Sequence, residues 1–175
     1  RSALDLRPAA GDDAGMDKYQ TVDTACGVVA FVWSEQGVRR VCLPQSTRAA
    51  ALAAVGVGPG DDESEHAELG TLLERFYRGE PVDFGGVALD LGPEPPFTAA
   101  VRQRVLALGR GETSTYGQVA ADVGSPKGAR AVGQVMARNP VAPLIPCHRV
   151  LGTDGLHGYG GGLPLKQRLL GWEKG

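Results

Sequence analysis

From Tyr19 onward the apolar residues follow two rhythms. Gly27-Val28-Val29-Ala30-Phe31-Val32-Trp33 and Gly37-Val38-Arg39-Arg40-Val41-Cys42-Leu43 are short valine-rich runs flanking Ser34-Glu35-Gln36, which predicts two strands joined by a hairpin-like turn. Over residues 65–78 the rhythm lengthens. Leu69, Leu72, Leu73 and Phe76 fall on one stripe, predicting a helix. Residues 83–91 read as another strand, and Gly92-Pro93-Glu94-Pro95-Pro96 as a linker. Beyond it, Val101, Val105 and Leu108 predict a helix over 98–108. Thr115 is placed to cap a helix over 116–122, which Gly124 ends. Ser125 is expected to cap the next helix, over 127–138, with Pro126 in its first turn, where the missing N–H would be unpaired anyway. Two short helices across a tight glycine turn make a helix-turn-helix.

This pattern divides the chain into an arm (1–15), an α/β unit (16–92) and a mainly helical unit (93–175). At 175 residues and 42% hydrophobic, it can bury one good core or two small ones sharing an interface. No run approaches the roughly 20 apolar residues that span a bilayer, and residues 1–16 are polar and acidic rather than a secretory leader. A soluble protein of the cytoplasm is therefore expected, with no membrane partner. Three cysteines without a C-x-x-C spacing indicate neither a disulfide framework nor a zinc knuckle. Charge is unevenly divided: residues 1–96 hold 8 Lys/Arg and 16 Asp/Glu, residues 97–175 hold 10 and 4. The basic half is the half with the helix-turn-helix, as in a protein with one face toward nucleic acid.

The chemistry concentrates at Ile145-Pro146-Cys147-His148-Arg149-Val150, a thiol beside an imidazole and a guanidinium. A lone cysteine is more often a core residue than a nucleophile, and 141–150 is apolar enough for a core strand. On a regular strand Cys147 and His148 would point to opposite faces, so they cooperate only if the chain turns there or a water bridges them. Around the hexapeptide stand Asn139-Pro140, Gly158-Tyr159-Gly160-Gly161-Gly162 and Lys166-Gln167-Arg168-Leu169-Leu170-Gly171-Trp172-Glu173. This ordered set, over about 96–173, resembles the O6-alkylguanine-DNA alkyltransferase family, with a fainter likeness over 19–83.

The resemblance implies a ribonuclease-H-like N-terminal unit and a C-terminal winged helix-turn-helix holding the cysteine pocket. It implies direct reversal of DNA damage: irreversible, stoichiometric transfer of an alkyl group from O6 of guanine, and potentially O4 of thymine, to Cys147. The catalytic set would be Cys147 as nucleophile, His148 as base acting through a water, Glu173 orienting it, Tyr116 bonding guanine N3, and Asn139 tying the recognition helix to the active-site segment. The DNA-binding set would be Arg130, Tyr116, Thr98, Ser125, Ala129 and Gly133. Arg130 would fill the space left by an extruded base, its small neighbours letting the backbone approach the duplex. Pro146, Val150, Tyr159, Gly160 and Gly161 would line the substrate pocket. Double-stranded DNA carrying O6-alkylguanine is the partner, a monomer is expected, and in a bacterial cell the protein would be nucleoid-associated. No cofactor is implied. Some relatives bind zinc through N-terminal cysteines and histidines, but Ser34 and Arg39 occupy two such positions here, so no metal is expected; Cys26 and Cys42 read as strand residues and His66 as a surface one. The loop Gly152-Thr153-Asp154-Gly155-Leu156-His157 is one residue shorter than the family pattern, and His157 departs from it.

Three other functions fit parts of the same pattern. A non-enzymatic sensor of alkylated bases would carry tryptophan where Cys147 stands, and a small-molecule dealkylase would keep the cysteine chemistry without DNA. A winged-helix regulator with an incidental cysteine would read the major groove instead.

Overall fold

The computed structural model describes residues 17–175; the expected arm over 1–15 lies outside the described residues. Strands β1 (Lys18–Thr24), β2 (Gly27–Ser34) and β3 (Gly37–Val41) form an antiparallel meander. After helix α1 (Arg48–Val55), the short β4 (Asp62–Glu63) pairs parallel with β1, giving the order β3-β2-β1-β4. Val29, Ala30, Phe31 and Val32 of β2 are consecutive and buried, so both faces of the central strand are covered. Helix α1 packs on β2, and α2 (Ala67–Tyr77) packs on β1, burying Leu69, Leu73 and Phe76 of the expected stripe.

Several expectations are corrected here. The strand expected over 83–91 is a loop: Asp83 Oδ1 accepts from the Gly85 N–H (2.8 Å), the chain turns at Gly85-Gly86, and only Leu89 bridges to Val38. Cys26 lies in the β1–β2 turn and Cys42 just beyond β3, where its sulfur accepts from the Ala30 N–H. His66 is more than a surface residue: it caps α2 by accepting from Leu69 N–H and stacks edge-on against Trp33, 5.3 Å between centroids. Ser34 and Arg39 both end on Asp90 Oδ2, at 2.6 and 2.7 Å, and Arg39 reaches Asp17 as well. With Arg40 also 3.5 Å from Asp17, a charge-balanced cluster of two arginines and two aspartates thus pins the β2–β3 hairpin to the chain leaving the sheet. Among the described residues, no group of three or more His, Cys, Asp or Glu is arranged to hold a metal ion.

The second part is helical. Helix α3 (Pro96–Leu106) buries Val101 and Val105, and Leu108 is buried just past its end. A two-residue strand β5 (Ser114–Thr115) leads into α4 (Tyr116–Asp122). Thr115 and Gln118 form a reciprocal capping box, each side chain taking the other's N–H, which fixes where Tyr116 starts the helix. Gly124, at φ 76°, turns the chain in the left-handed conformation that glycine adopts without steric cost. Helix α5 (Ala129–Ala137) begins later than expected, because Ser125 does not cap it. Ser125 opens a tight turn instead, its carbonyl accepting from Gly128 N–H at 2.7 Å, and Gly128 takes the cap position with no side chain to offer.

The two parts share one continuous apolar core. Val41 N–H donates to Pro140 O (2.7 Å), and the Trp172 indole lies against Gly79, where a Cβ would fall 2.9 Å from the ring. Gly79 also has φ 85°, so both conformation and close approach require glycine there.

Candidate active site

The segment expected as a core strand is not one. Val141 makes a lone parallel bridge to Val41, residues 142–145 turn, and Cys147–Arg149 make a single 3-10 turn before β6 (Val150–Leu151), which pairs parallel with β5. Three prolines, at 140, 143 and 146, remove the N–H donors a strand would need. The turn rotates Cys147 and His148 off opposite strand faces, the first of the two conditions for cooperation.

Both residues are buried, His148 completely and Cys147 to 8% exposure. Helix α6 (Leu163–Lys174) runs past them with Lys166, Leu169, Leu170 and Glu173 on its inner face. Glu173 meets His148 through a 2.8 Å Nε2–Oε1 hydrogen bond. Arg149 binds the same carboxylate in bidentate fashion, Nε to Oε2 at 2.8 Å and Nη2 to Oε1 at 2.7 Å. The Gly111 N–H adds a fourth donor at 3.3 Å. Burial alone would push the Glu173 carboxyl upward, but the bonds from His148 and Arg149 prevail and hold it at about 2. An ionised carboxylate can only accept, so His148 Nε2 carries the proton.

That assignment fixes the other ring nitrogen. Nδ1 is buried, keeps its lone pair, and has no partner among protein atoms. Burial lowers the His148 pKa despite the neighbouring carboxylate, so the imidazole is neutral near pH 7. Burial raises the Cys147 thiol, opposed by the nearby Asn139 side chain and Lys166 ammonium. The resting pair is therefore a neutral thiol and a neutral base; ionising the sulfur requires passing its proton on.

Asn139, just past α5, donates from Nδ2 to Ile145 O (2.8 Å) and accepts from Val141 N–H (3.2 Å), tying the helix end to the turn that carries Cys147. Tyr116 is half-buried at the start of α4, directly after β5, whose two residues pair with Val150 and Leu151 just past the turn that carries Cys147; burial and then the charge of Cys147 raise its pKa. The Tyr116 ring lies 4.0 Å from where a Cβ on Gly133 would be, an ordinary packing distance, so the ring rests against α5 at that position. Pro146 and Val150 are buried on either side of the 3-10 turn. Tyr159 is partly buried with its hydroxyl inside, and Gly160 and Gly161 lie exposed against Leu43. Arg130 is exposed near the start of α5 beside Ala129, Ser125 lies in the preceding turn, and Thr98 sits on a different element, the first turn of α3.

Two residues of this centre escaped the sequence reading. Arg149 stands inside the hexapeptide, but its claim on Glu173 depends on α6 folding back. Lys166 is fully buried, and its Nζ donates to Val150 O (2.8 Å) and to Leu156 O, joining β6 to the loop before Tyr159. The signal was its spacing: Lys166 precedes Leu169, Leu170 and Glu173 on one helical stripe.

Comparison with known proteins finds relatives along most of the chain. Residues 96–175 match the family described as 6-O-methylguanine DNA methyltransferase, DNA binding domain. A methylated-DNA--protein-cysteine methyltransferase of Mycobacterium leprae is 45% identical over 120 residues, 67% of this chain and 71% of that one. One from Mycolicibacterium paratuberculosis is 35% identical over 163 residues, 91% and 93% of the two chains. The crystal structure of Mycobacterium tuberculosis OGT in complex with DNA superposes with a TM-score of 0.75 at 32% identity, covering 90% of this chain and 92% of its own. With such likeness along nearly its whole described length, and the cysteine–histidine–glutamate centre inside the matched region, this chain belongs to the methylated-DNA–protein-cysteine methyltransferase family.

Proposed function

We propose that this protein repairs alkylated DNA by moving the alkyl group from O6 of guanine to Cys147. The observation that carries the reading is the Glu173–His148 hydrogen bond: an ionised carboxylate takes the Nε2 proton, which leaves the buried Nδ1 as a free acceptor on the residue next to Cys147. A water between Cys147 Sγ and Nδ1 would carry the thiol proton to the imidazole. Sγ then attacks the alkyl carbon, the S–C bond forms as the C–O6 bond breaks, and guanine leaves with that electron pair. The Tyr116 hydroxyl donates toward guanine N3 as charge develops, and a proton returned from His148 by way of the water leaves neutral guanine and a thioether. Thiolate is a poor leaving group from a simple alkyl carbon, so each molecule acts once. No step calls on a cofactor.

A stacked base cannot reach a buried sulfur, so the nucleotide must leave the duplex. In this reading α4 and α5 act as a helix-turn-helix with α5 as the recognition helix, and Arg130 occupies the vacated space. Thr98, Ser125, Ala129 and Gly133 would complete the DNA-facing set, and the β5–β6 pair would serve as the wing. The meander followed by a helical crossover to a parallel strand supports a ribonuclease-H-like first unit ending near residue 92. The basic balance of residues 97–175 supports duplex DNA as the partner.

The deciding experiment is intact-protein and peptide mass after mixing with a duplex oligonucleotide carrying O6-methylguanine. One methyl on the Cys147 peptide, saturating at one per protein and absent in Cys147→Ser, is the expected result. Transfer retained by Cys147→Ser would overturn the assignment; binding of the duplex without any adduct would point to a damage sensor.

A further inference from the structure

The loop over 152–158 holds a feature that the transfer reaction does not account for. His157 is at φ 54°, the only non-glycine residue with positive φ among the described residues. Histidine enters this region more readily than most residues, yet the conformation carries a cost that the surroundings must sustain. They do so from several sides. The imidazole lies across the Gly152 backbone, so that a Cβ there would fall 2.3 Å from Cδ2 and Nε2. The Asp154 carboxylate binds Nε2 and is itself held below its ordinary pKa by that pairing. Gly152 N–H donates to Gly155 O at 2.8 Å, closing the loop on itself. Lys166, buried in the core, grips the carbonyl of Leu156, the residue immediately before.

The ring so fixed stands 6.3 Å from the Tyr116 ring, tilted by 44°. Tyr116 directly follows β5, which pairs with Val150 and Leu151 just past the Cys147 turn, and its ring packs toward Gly133 of α5. We infer that His157 is a specificity-determining residue: with Tyr116 it walls the mouth of the Cys147 pocket and favours small O6 substituents over bulky ones. The inference rests on the alkyl-transfer reading and deepens it by naming the substrate class the site prefers. A methyl group at O6 needs little space beyond the purine itself. An aromatic substituent must extend past the sulfur, where a pinned imidazole yields less than a free loop would. His157 is 49% exposed at its side chain, so replacing it changes the mouth and leaves the core intact.

The test is single-turnover transfer from one duplex sequence carrying either O6-methylguanine or O6-benzylguanine, measured for the unsubstituted protein, His157→Gly and Asp154→Asn. Glycine suits the positive φ, so His157→Gly should fold. Its benzyl-to-methyl rate ratio is expected to rise about tenfold, within the range one apolar contact commands. Asp154→Asn, which frees the imidazole without removing it, should move the ratio in the same direction by less. An unchanged ratio in His157→Gly, including a proportional fall of both rates, overturns the inference while leaving the transfer function standing. Absence of transfer from either duplex by the unsubstituted protein overturns both.

Discussion

His148 and Glu173 lie 25 residues apart in the chain and meet through a 2.8 Å hydrogen bond in the buried centre. The carboxylate has a second obligation, because Arg149 takes both of its oxygens. In Glu173→Gln one of these acceptors becomes a donor, and a guanidinium N–H then faces an amide N–H. Removing one partner of a buried pair costs about 3–5 kcal/mol, so urea unfolding of Glu173→Gln should show a loss of that order. Transfer should also slow by at least about 100-fold, a typical share for a positioned base, measured at a temperature where the variant stays folded. A stable variant with an unchanged rate would remove Glu173 from the relay.

The same pair sets the response to acid. Glu173 is lowered from 4.5 to about 2 in the fold, so its contribution is complete above 4.5 and is lost as pH falls from there toward 2. By linkage that is about 3 kcal/mol. His148 is also lowered from 6.5, so the unfolded chain binds its proton first and stability begins to decline as pH drops through 6.5. Unfolding free energy is therefore expected to be flat just above neutrality and to fall in two stages as pH drops, from 6.5 downward and again below 4.5. In Glu173→Gln the lower stage should shrink. The rate of transfer should persist somewhat below pH 6.5, because protonating the buried imidazole, which removes the base, requires more acid than it would in water.

The sequence was informative where one local rule decided the outcome. Valine-rich runs around a polar turn made β2 and β3 legible, and Thr115, read as a helix cap, marked the start of α4. Helix α1 went unnoticed because eight residues, five of them alanine, show too little contrast for a period to be read. Residues 83–91 misled for the opposite reason: alternation in Val87 and Leu89 looked like a strand, while Gly85-Gly86 and the Asp83 side chain turned the backbone away from a ladder. At the site, the resemblance named Cys147, His148 and Glu173 together. It left out Arg149 and Lys166, whose roles exist only once α6 packs against the 3-10 turn.

Lys166 therefore carries its own prediction. A fully buried ammonium donating to two carbonyls exchanges a large desolvation cost for charge-assisted hydrogen bonds. Lys166→Met keeps the volume and removes the donors. Amide exchange over 152–158 should accelerate, since Leu156 O loses its anchor. Transfer should also slow, because the nearby positive charge that opposes the burial of the Cys147 thiolate is gone. A rate unchanged alongside faster exchange would confine Lys166 to holding the loop.

Arg130 separates base extrusion from the chemistry itself. It is an exposed cation on a helix whose neighbours, Ala129, Ala131 and Gly133, offer little bulk of their own, so it can reach into a duplex that the helix backbone approaches closely. An extruded nucleotide leaves its neighbours unstacked at a cost of a few kcal/mol, and a side chain filling the gap offsets part of it. Arg130→Ala should then slow transfer from duplex O6-methylguanine by about 10- to 100-fold, the equivalent of about 1.4–2.7 kcal/mol. Dealkylation of free O6-benzylguanine, which needs no extrusion, should suffer far less. Measuring both substrates on the same preparation distinguishes the cases: a selective loss on duplex assigns Arg130 to extrusion, whereas equal losses would mean that the substitution disturbs the Cys147 pocket through Gly133 and Tyr116.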